Sequence, residues 1–261
     1  MSSFILNNET GSSMVDKTAL VTGASRGIGR AICQNLAESG ATVIACARSQ
    51  HDLNALLNDL KKNSSTHLSF SQDLMENNGP NQLVEYLISK NVHPDIIVHS
   101  LGGSLQERDP FCNVDSFKKV WNYNLGVSIE LNRMLIPEMQ KRNWGRVIHI
   151  STLSTRTYTG NLAYVSAKSA LNGYIKNMSR HLASTGVVMC GVSPGLVNVE
   201  GRYYSKMLTE DPEQLEKYFD EHLPLRRMIE PEEVGQLVAK LCTNLSNAMS
   251  GSIVEIDGGG H

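Results

Sequence analysis

Tyr164 is followed four residues later by Lys168 in the segment AYVSAKSAL, so on a helix the phenol and the ammonium share one face. A free tyrosine titrates near pH ~10 and is a poor proton donor or acceptor at neutral pH. A cation one turn away favours the phenolate and draws that pKa toward the working range. On an exposed helix the same spacing is common and idle, so the pair gains meaning only from a second feature near the start of the chain. There TGASRGIG, residues 22–29, follows the apolar run Ala19-Leu20-Val21 and precedes AICQNLA, which is apolar on one helical face. Strand, glycine turn and helix in that order are the context of a dinucleotide-binding turn. Glycines let backbone N–H groups approach a pyrophosphate, whose charge then sits at the positive end of the helix. The spacing is Gly-x-x-x-Gly-x-Gly rather than Gly-x-Gly-x-x-Gly, and the competing reading is an ordinary tight turn.

The elements that must position these groups alternate along the chain. Apolar runs predict strands at Thr42–Ala47, His67–Ser71, Asp95–His99, Arg146–Ile150, Val187–Val192 and Ser252–Ile256. Helical periodicity falls at 51–62, 80–90, 113–141, 161–184 and 231–245. The expected fold is a single-domain, doubly wound parallel α/β sheet of Rossmann type, with about seven strands and helices on both faces. Right-handed crossovers bring every strand's C-terminal end to one rim, where ligands bind. No repeat or linker divides the chain, so residues 17–261 read as one domain after an N-terminal extension, 1–16. Strict alternation lapses only at 198–228, a polar and aromatic insertion expected to form a binding loop or lid at that rim.

Among 261 residues, 24 basic and 26 acidic side chains leave a net charge of −2 with no basic stripe, which argues against nucleic acid or anionic membrane as partners. The five cysteines are scattered without a Cys-x-x-Cys, as expected in a reducing, cytoplasmic setting. No segment approaches the roughly 18 apolar residues of a membrane span. Residues 1–16 lack the build of a signal peptide and read as a polar extension, disordered or lying on a neighbouring subunit.

TGASRGIG, Tyr164-x-x-x-Lys168, SPG at 193–195 and IDGG at 256–259, in that order, resemble the short-chain dehydrogenase/reductases from about Lys17 to the C-terminus. The resemblance implies a nicotinamide dinucleotide held by Gly23, Ser25, Arg26, Gly27, Ile28, Gly29 and Gly102, with Pro194, Gly195 and Val197 around the nicotinamide. The second strand ends without an acid for the ribose hydroxyls of NAD, whereas Arg48 follows it and Arg26 lies nearby, an arrangement suited to a 2′-phosphate. NADP(H) is therefore expected, with NAD(H) as the alternative. Asp73, followed by Leu74, matches the family's aspartate near the adenine.

By the same resemblance Tyr164 is the acid/base, Lys168 holds the nicotinamide ribose and lowers the tyrosine's pKa, and Asn124 anchors a water in the proton relay. The hydroxyl that polarises the substrate is Thr152 when counted from the strand GRVIHI, and Ser151 when counted back from Tyr164; Ser154 is an outside candidate. Two positions depart from the family's pattern. His99-Ser100-Leu101-Gly102 stands where Asn-Asn-Ala-Gly is usual, with His99 read as a satisfied core histidine in preference to a replacement for the asparagine's structural bonding. Val199 stands where a threonine usually touches the nicotinamide amide.

Candidate substrate lining is Gly103, Ser104, Arg156, Tyr158, Arg202, Tyr203 and Tyr204, which suits a polar or anionic compound as well as plain solvent. The expected activity is NADP(H)-dependent interconversion of a carbonyl and an alcohol on a small molecule. The alternatives are a 3-oxoacyl-[acyl-carrier-protein] reductase and, from another class, a catalytically silent nucleotide sensor. The helices at 113–141 and 161–184 resemble the family's subunit interface, implying a homotetramer or homodimer. No metal site is read.

Overall fold

The computed structural model describes residues 14–60 and 66–260. Its elements run β1 (Thr18–Thr22), α1 (Gly27–Glu38), β2 (Thr42–Ala47), α2 (Gln50–Leu60), β3 (Leu68–Ser71), α3 (Gly79–Ser89) and β4 (Ile96–His99). They continue with α4 (Val114–Trp121), a π turn (Asn122–Gly126), α5 (Val127–Lys141), β5 (Gly145–Ile150), α6 (Ser154–Thr157), α7 (Leu162–Leu182) and β6 (Val187–Pro194). The last are α8 (Tyr203–Glu210), α9 (Pro212–His222), α10 (Pro231–Leu241), a 3₁₀ turn (Asn244–Met249) and β7 (Ile253–Ile256).

The strands pair in parallel in the order β3-β2-β1-β4-β5-β6-β7. Winding reverses between β1 and β4, and a crevice opens beyond the strand ends at such a reversal. A parallel sheet is covered on both faces, so its strands are apolar at consecutive positions. Val21, Ala45 and Val98 point into the layer with Ile32, Leu53 and Val238 of α1, α2 and α10. Their neighbours Leu20, Ile44 and Ile97 point the other way, onto Leu83, Leu131 and Ile175 of α3, α5 and α7. Each valine, leucine or isoleucine among them contributes about 1.5–3 kcal/mol by leaving water.

The continuous helix expected at 113–141 is interrupted. At Asn122–Gly126 the ladder widens, and the Val127 amide donates to the Asn122 carbonyl five residues back. Gly126 leaves room there for the Asn122 side chain, since a Cβ would lie 2.2 Å from Asn122 Oδ1. The insertion at 198–228 is largely helical rather than a loop. Asp211 accepts from the Gln214 amide at 3.1 Å and Pro212 opens α9, a start signal the polar composition masked. α8 and α9 close a small core of their own around Met207, Leu215, Phe219 and Met228. The excursion is stitched at its base: Asn198 N donates to Ile229 O, and Ile229 N to Leu196 O, each at 2.8 Å.

The helix expected at 231–245 ends at Leu241, and a 3₁₀ turn follows. α2 reaches Leu60, so the expected end of its helix, 61–62, lies outside the described residues, as do residues 1–13 of the extension. Met14 is buried and its amide donates to Ser39 O at 2.7 Å, so packed chain begins ahead of Lys17. Cys33, Cys46, Cys190 and Cys242 are buried, and burial pushes their thiols up, to about 12 for Cys46 and Cys242. Inert core thiols are the outcome.

Candidate active site

The glycine turn bends where the sequence places it, with φ +67° at Gly23 and +52° at Gly27. A Cβ on Gly29 would lie 2.1 Å from Gly23 O, and one on Gly27 would lie 2.9 Å from Val199 Cγ1. Only hydrogen fits at these points, so backbone amides at the start of α1 face the crevice. That crevice has a volume of about 520 Å³. Gly23, Ser25, Arg26, Gly27, Ile28 and Gly29 form one end of it. Arg48, Asp73 and Leu74 wall the same end, and Gly102, Pro194, Gly195 and Val197 lie toward Tyr164 and Lys168.

At the turn end, Arg48 Nη1 lies 3.8 Å from Asp73 Oδ2, while Asp73 Oδ1 accepts from the Met75 amide at 2.9 Å. Asp73 thus both lines the cleft and fixes its own turn. β2 ends without an acid, as read from the chain, yet α2 brings Asp52 to the cleft from its first turn. Hydrogen bonds from His51 and Ser49, with a smaller contribution from the charge of Arg26, hold that carboxyl below the usual range.

The other end joins α7 to the end of β5. Tyr164 is half-buried, and burial pushes its phenol up; the Thr152 hydroxyl and the charge of Arg202 act in the opposite sense. Lys168 is buried, donates from Nζ to Ile150 O at 2.6 Å, and stands 6.0 Å from the centre of the Tyr164 ring. Burial draws the ammonium down to about 7. Lys168 is not among the groups that move the Tyr164 phenol in this structure. Burial disfavours the charged form of the lysine, and the cation whose charge lowers the phenol is Arg202.

Ser151 and Thr152 both line the cleft but are bonded differently. Ser151 Oγ donates to Asn172 Oδ1 at 2.6 Å, and Asn172 Nδ2 donates onward to Thr155 at 3.0 Å. Thr152 stays beside Tyr164, with Ser154 Oγ at 3.3 Å behind it. Asn124 sits in the π turn, and its amide is spent on structure. Oδ1 accepts from Gly103 N at 3.0 Å, and Nδ2 donates to Gly103 O and Val120 O, both at 2.8 Å. The asparagine therefore shapes the glycine loop rather than presenting its side chain to the cleft.

His99 is the satisfied core histidine expected. Its Nε2 bonds Asn132 Oδ1 at 2.8 Å, and its ring stacks on His149 at 4.6 Å. Asn132 Nδ2 donates to His149 Nε2 at 3.3 Å and to the Tyr174 oxygen at 3.2 Å. Of the suggested substrate residues, Gly103 and Arg202 line the cleft. Ser104, Tyr158, Tyr203 and Tyr204 do not, and Tyr204 packs against Tyr218 with ring centres 4.8 Å apart. Arg156 is also absent from the lining, bound to Asp257 at 2.7 Å and to Glu255 at 3.3 Å. Tyr123, which reading the chain missed, does line it, turned there by the π turn. Among the described residues no cluster of His, Cys, Asp or Glu could hold a metal ion, and no helix is long and apolar enough to cross a membrane.

A family model described as short chain dehydrogenase matches residues 17–206. A tropinone reductase homolog from Arabidopsis thaliana is 30% identical over 249 residues, covering 95% of this chain and 93% of its own. A 3-oxoacyl (acyl-carrier-protein) reductase from Agrobacterium tumefaciens, solved with NADP bound, superposes with a TM-score of 0.89 at 26% identity, covering 97% of this chain and 98% of its own. L-sorbose reductase from Gluconobacter frateurii, solved with NADPH and L-sorbose, gives 0.88 at 26% identity, with 95% and 97% covered.

Proposed function

The chain belongs to the short-chain dehydrogenases, a family of NAD(P)-dependent oxidoreductases, and from that premise we propose that it interconverts a carbonyl and an alcohol on a small molecule with NADP(H). One observation carries the reading: a single cleft runs from the Gly23–Gly29 turn to Tyr164, Thr152 and Lys168. The fit is steric and electrostatic, since the turn admits no Cβ at Gly29 and a Cβ on Gly102 would lie 2.8 Å from Asn124 Oδ1. The amides of the turn would hold the diphosphate, Arg26 and Arg48 the 2′-phosphate, and Lys168 the ribose, with Pro194, Gly195 and Val197 walling the nicotinamide. When bound, the dinucleotide supplies or accepts the hydride.

The chain's own residues handle the proton. In the direction of reduction, Tyr164 donates its hydroxyl proton to the carbonyl oxygen, and Thr152 donates a hydrogen bond to the same oxygen. Ser151 holds α7 against β5 through Asn172. A water relay at Asn124 falls to the backbone of the π turn, because the side-chain amide is committed elsewhere. A second reading, reduction of a 3-oxoacyl thioester on a carrier protein, is supported by the likeness to the Agrobacterium reductase. A homodimer or homotetramer belongs to the same proposal.

Tyr164→Phe removes only the transferring oxygen. It should lower kcat about 10²–10⁴-fold in an assay of reduced-nicotinamide absorbance while leaving NADPH affinity within a few-fold. Substantial turnover in that variant would refute the role.

A further inference from the structure

The cations lining the cleft separate by what opposes them. At the turn end, Arg26 and Arg48 face the carboxylates Asp52 and Asp73. At the tyrosine end, Lys168 and Arg202 line the wall and no described carboxylate does. Around that rim the other arginines are neutralised: Arg156 by Asp257 and Glu255, Arg226 by Asp220 and Glu216, Arg227 by Glu233. Among the described residues, no carboxylate lies within 4.0 Å of the Arg202 guanidinium. Its backbone is nonetheless fixed, with N donating to Val199 O and O accepting from Lys206 N, both at 3.0 Å. An exposed guanidinium without a described counter-ion, carried on a fixed backbone in the part of the cleft that holds Tyr164, is open to a planar or tetrahedral anion.

We propose that Arg202 binds an anionic group of the substrate, a carboxylate or a phosphate, carried a short span from the carbonyl that Tyr164 serves. The inference rests on the redox reading above and narrows it: neutral ketones are poor substrates, and oxo acids or keto phosphates are good ones. The competing anion is the dinucleotide's own diphosphate, since Val199, bonded to Arg202, touches Gly27 of the turn.

The test pairs each anion with a neutral twin. Pyruvate, acetoacetate and levulinate are set against their methyl esters, and dihydroxyacetone phosphate against dihydroxyacetone. Binding to the NADP⁺-saturated protein is read by calorimetry. At least one anion should bind about tenfold or more tightly than its twin, as a charge-assisted hydrogen bond provides. Arg202→Gln should erase that preference, and Arg202→Lys should restore part of it. The carboxylate and phosphate arms tell the two sources apart. Equal binding within every pair, or a preference that survives Arg202→Gln, overturns the proposal. So does an effect of Arg202→Gln on NADPH affinity alone. Turnover of the same compounds reads the redox function separately: anion preference without turnover keeps the Arg202 site and counts against the oxidoreductase reading.

Discussion

Thr152 and Ser151 carry the same donor at adjacent positions, and their surroundings send them to different work. The Ser151 hydroxyl is spent on Asn172, whereas that of Thr152 stands beside the phenol. Thr152→Val should therefore lower kcat about 10²-fold with the cofactor dissociation constant unchanged. Ser151→Ala should leave kcat within a few-fold and cost about 1 kcal/mol of stability. Steady-state kinetics beside urea unfolding of both variants checks the pair, and a reversed pattern would exchange the roles. Reading the chain could name both hydroxyls but not choose, because the choice depends on Asn172, a partner 21 residues away on another element. Tyr164, Lys168 and the glycines were legible for the opposite reason: their chemistry is written in local spacing. Arg202 was visible as a residue but not as the cation acting on Tyr164, since that requires knowing which arginines have found carboxylates.

Between elements, the cluster of buried His99, Asn132 and His149 with half-buried Tyr174 ties β4 and β5 to α5 and α7. Burial is the largest influence on His99 and holds it at about 4, against 6.5 for the free side chain; the charge of Lys168 adds in the same sense, and the bond to Asn132 opposes. His149 is held well below its ordinary range by burial, His99 and Lys168. The unfolded chain thus binds protons that the folded one refuses. This stability is complete above about pH 6.5 and declines as pH falls toward 4, by about 3 kcal/mol for His99 alone. Urea unfolding of His99→Asn between those limits should show a shallower dependence on pH than the parent; an unchanged slope would mean the cluster is not what titrates. Strand positions were readable to within a residue or two, because buried parallel strands are short apolar runs. The π turn was not, since one surplus residue leaves the spacing of apolar positions on either side intact. α9 was missed although Asp211-Pro212 marks its start, because its outer face is charged and the stretch reads as a surface insertion.

For the molecule as a whole, the described surface keeps a group of apolar side chains in water around α4: Phe111 at 91% exposure, Val114 at 64% and Trp121 at 39%. Isolated exposed apolar residues are ordinary, but three within eleven positions on and before one helix favour burial against another copy. Sedimentation at micromolar concentration should return a dimer or tetramer, and Val114→Glu should shift it toward the monomer. A monomeric parent protein would remove oligomerisation from the proposal.

The bridge between Leu196–Asn198 and Ile229 has a further meaning. Since the excursion leaves after β6 and returns ahead of α10 through neighbouring amides, its two ends stay in place whatever lies between them. A stretch fastened in this way behaves as an exchangeable cassette. Rewriting it would give the protein new compounds to act on, while the parallel scaffold beneath went on folding as before.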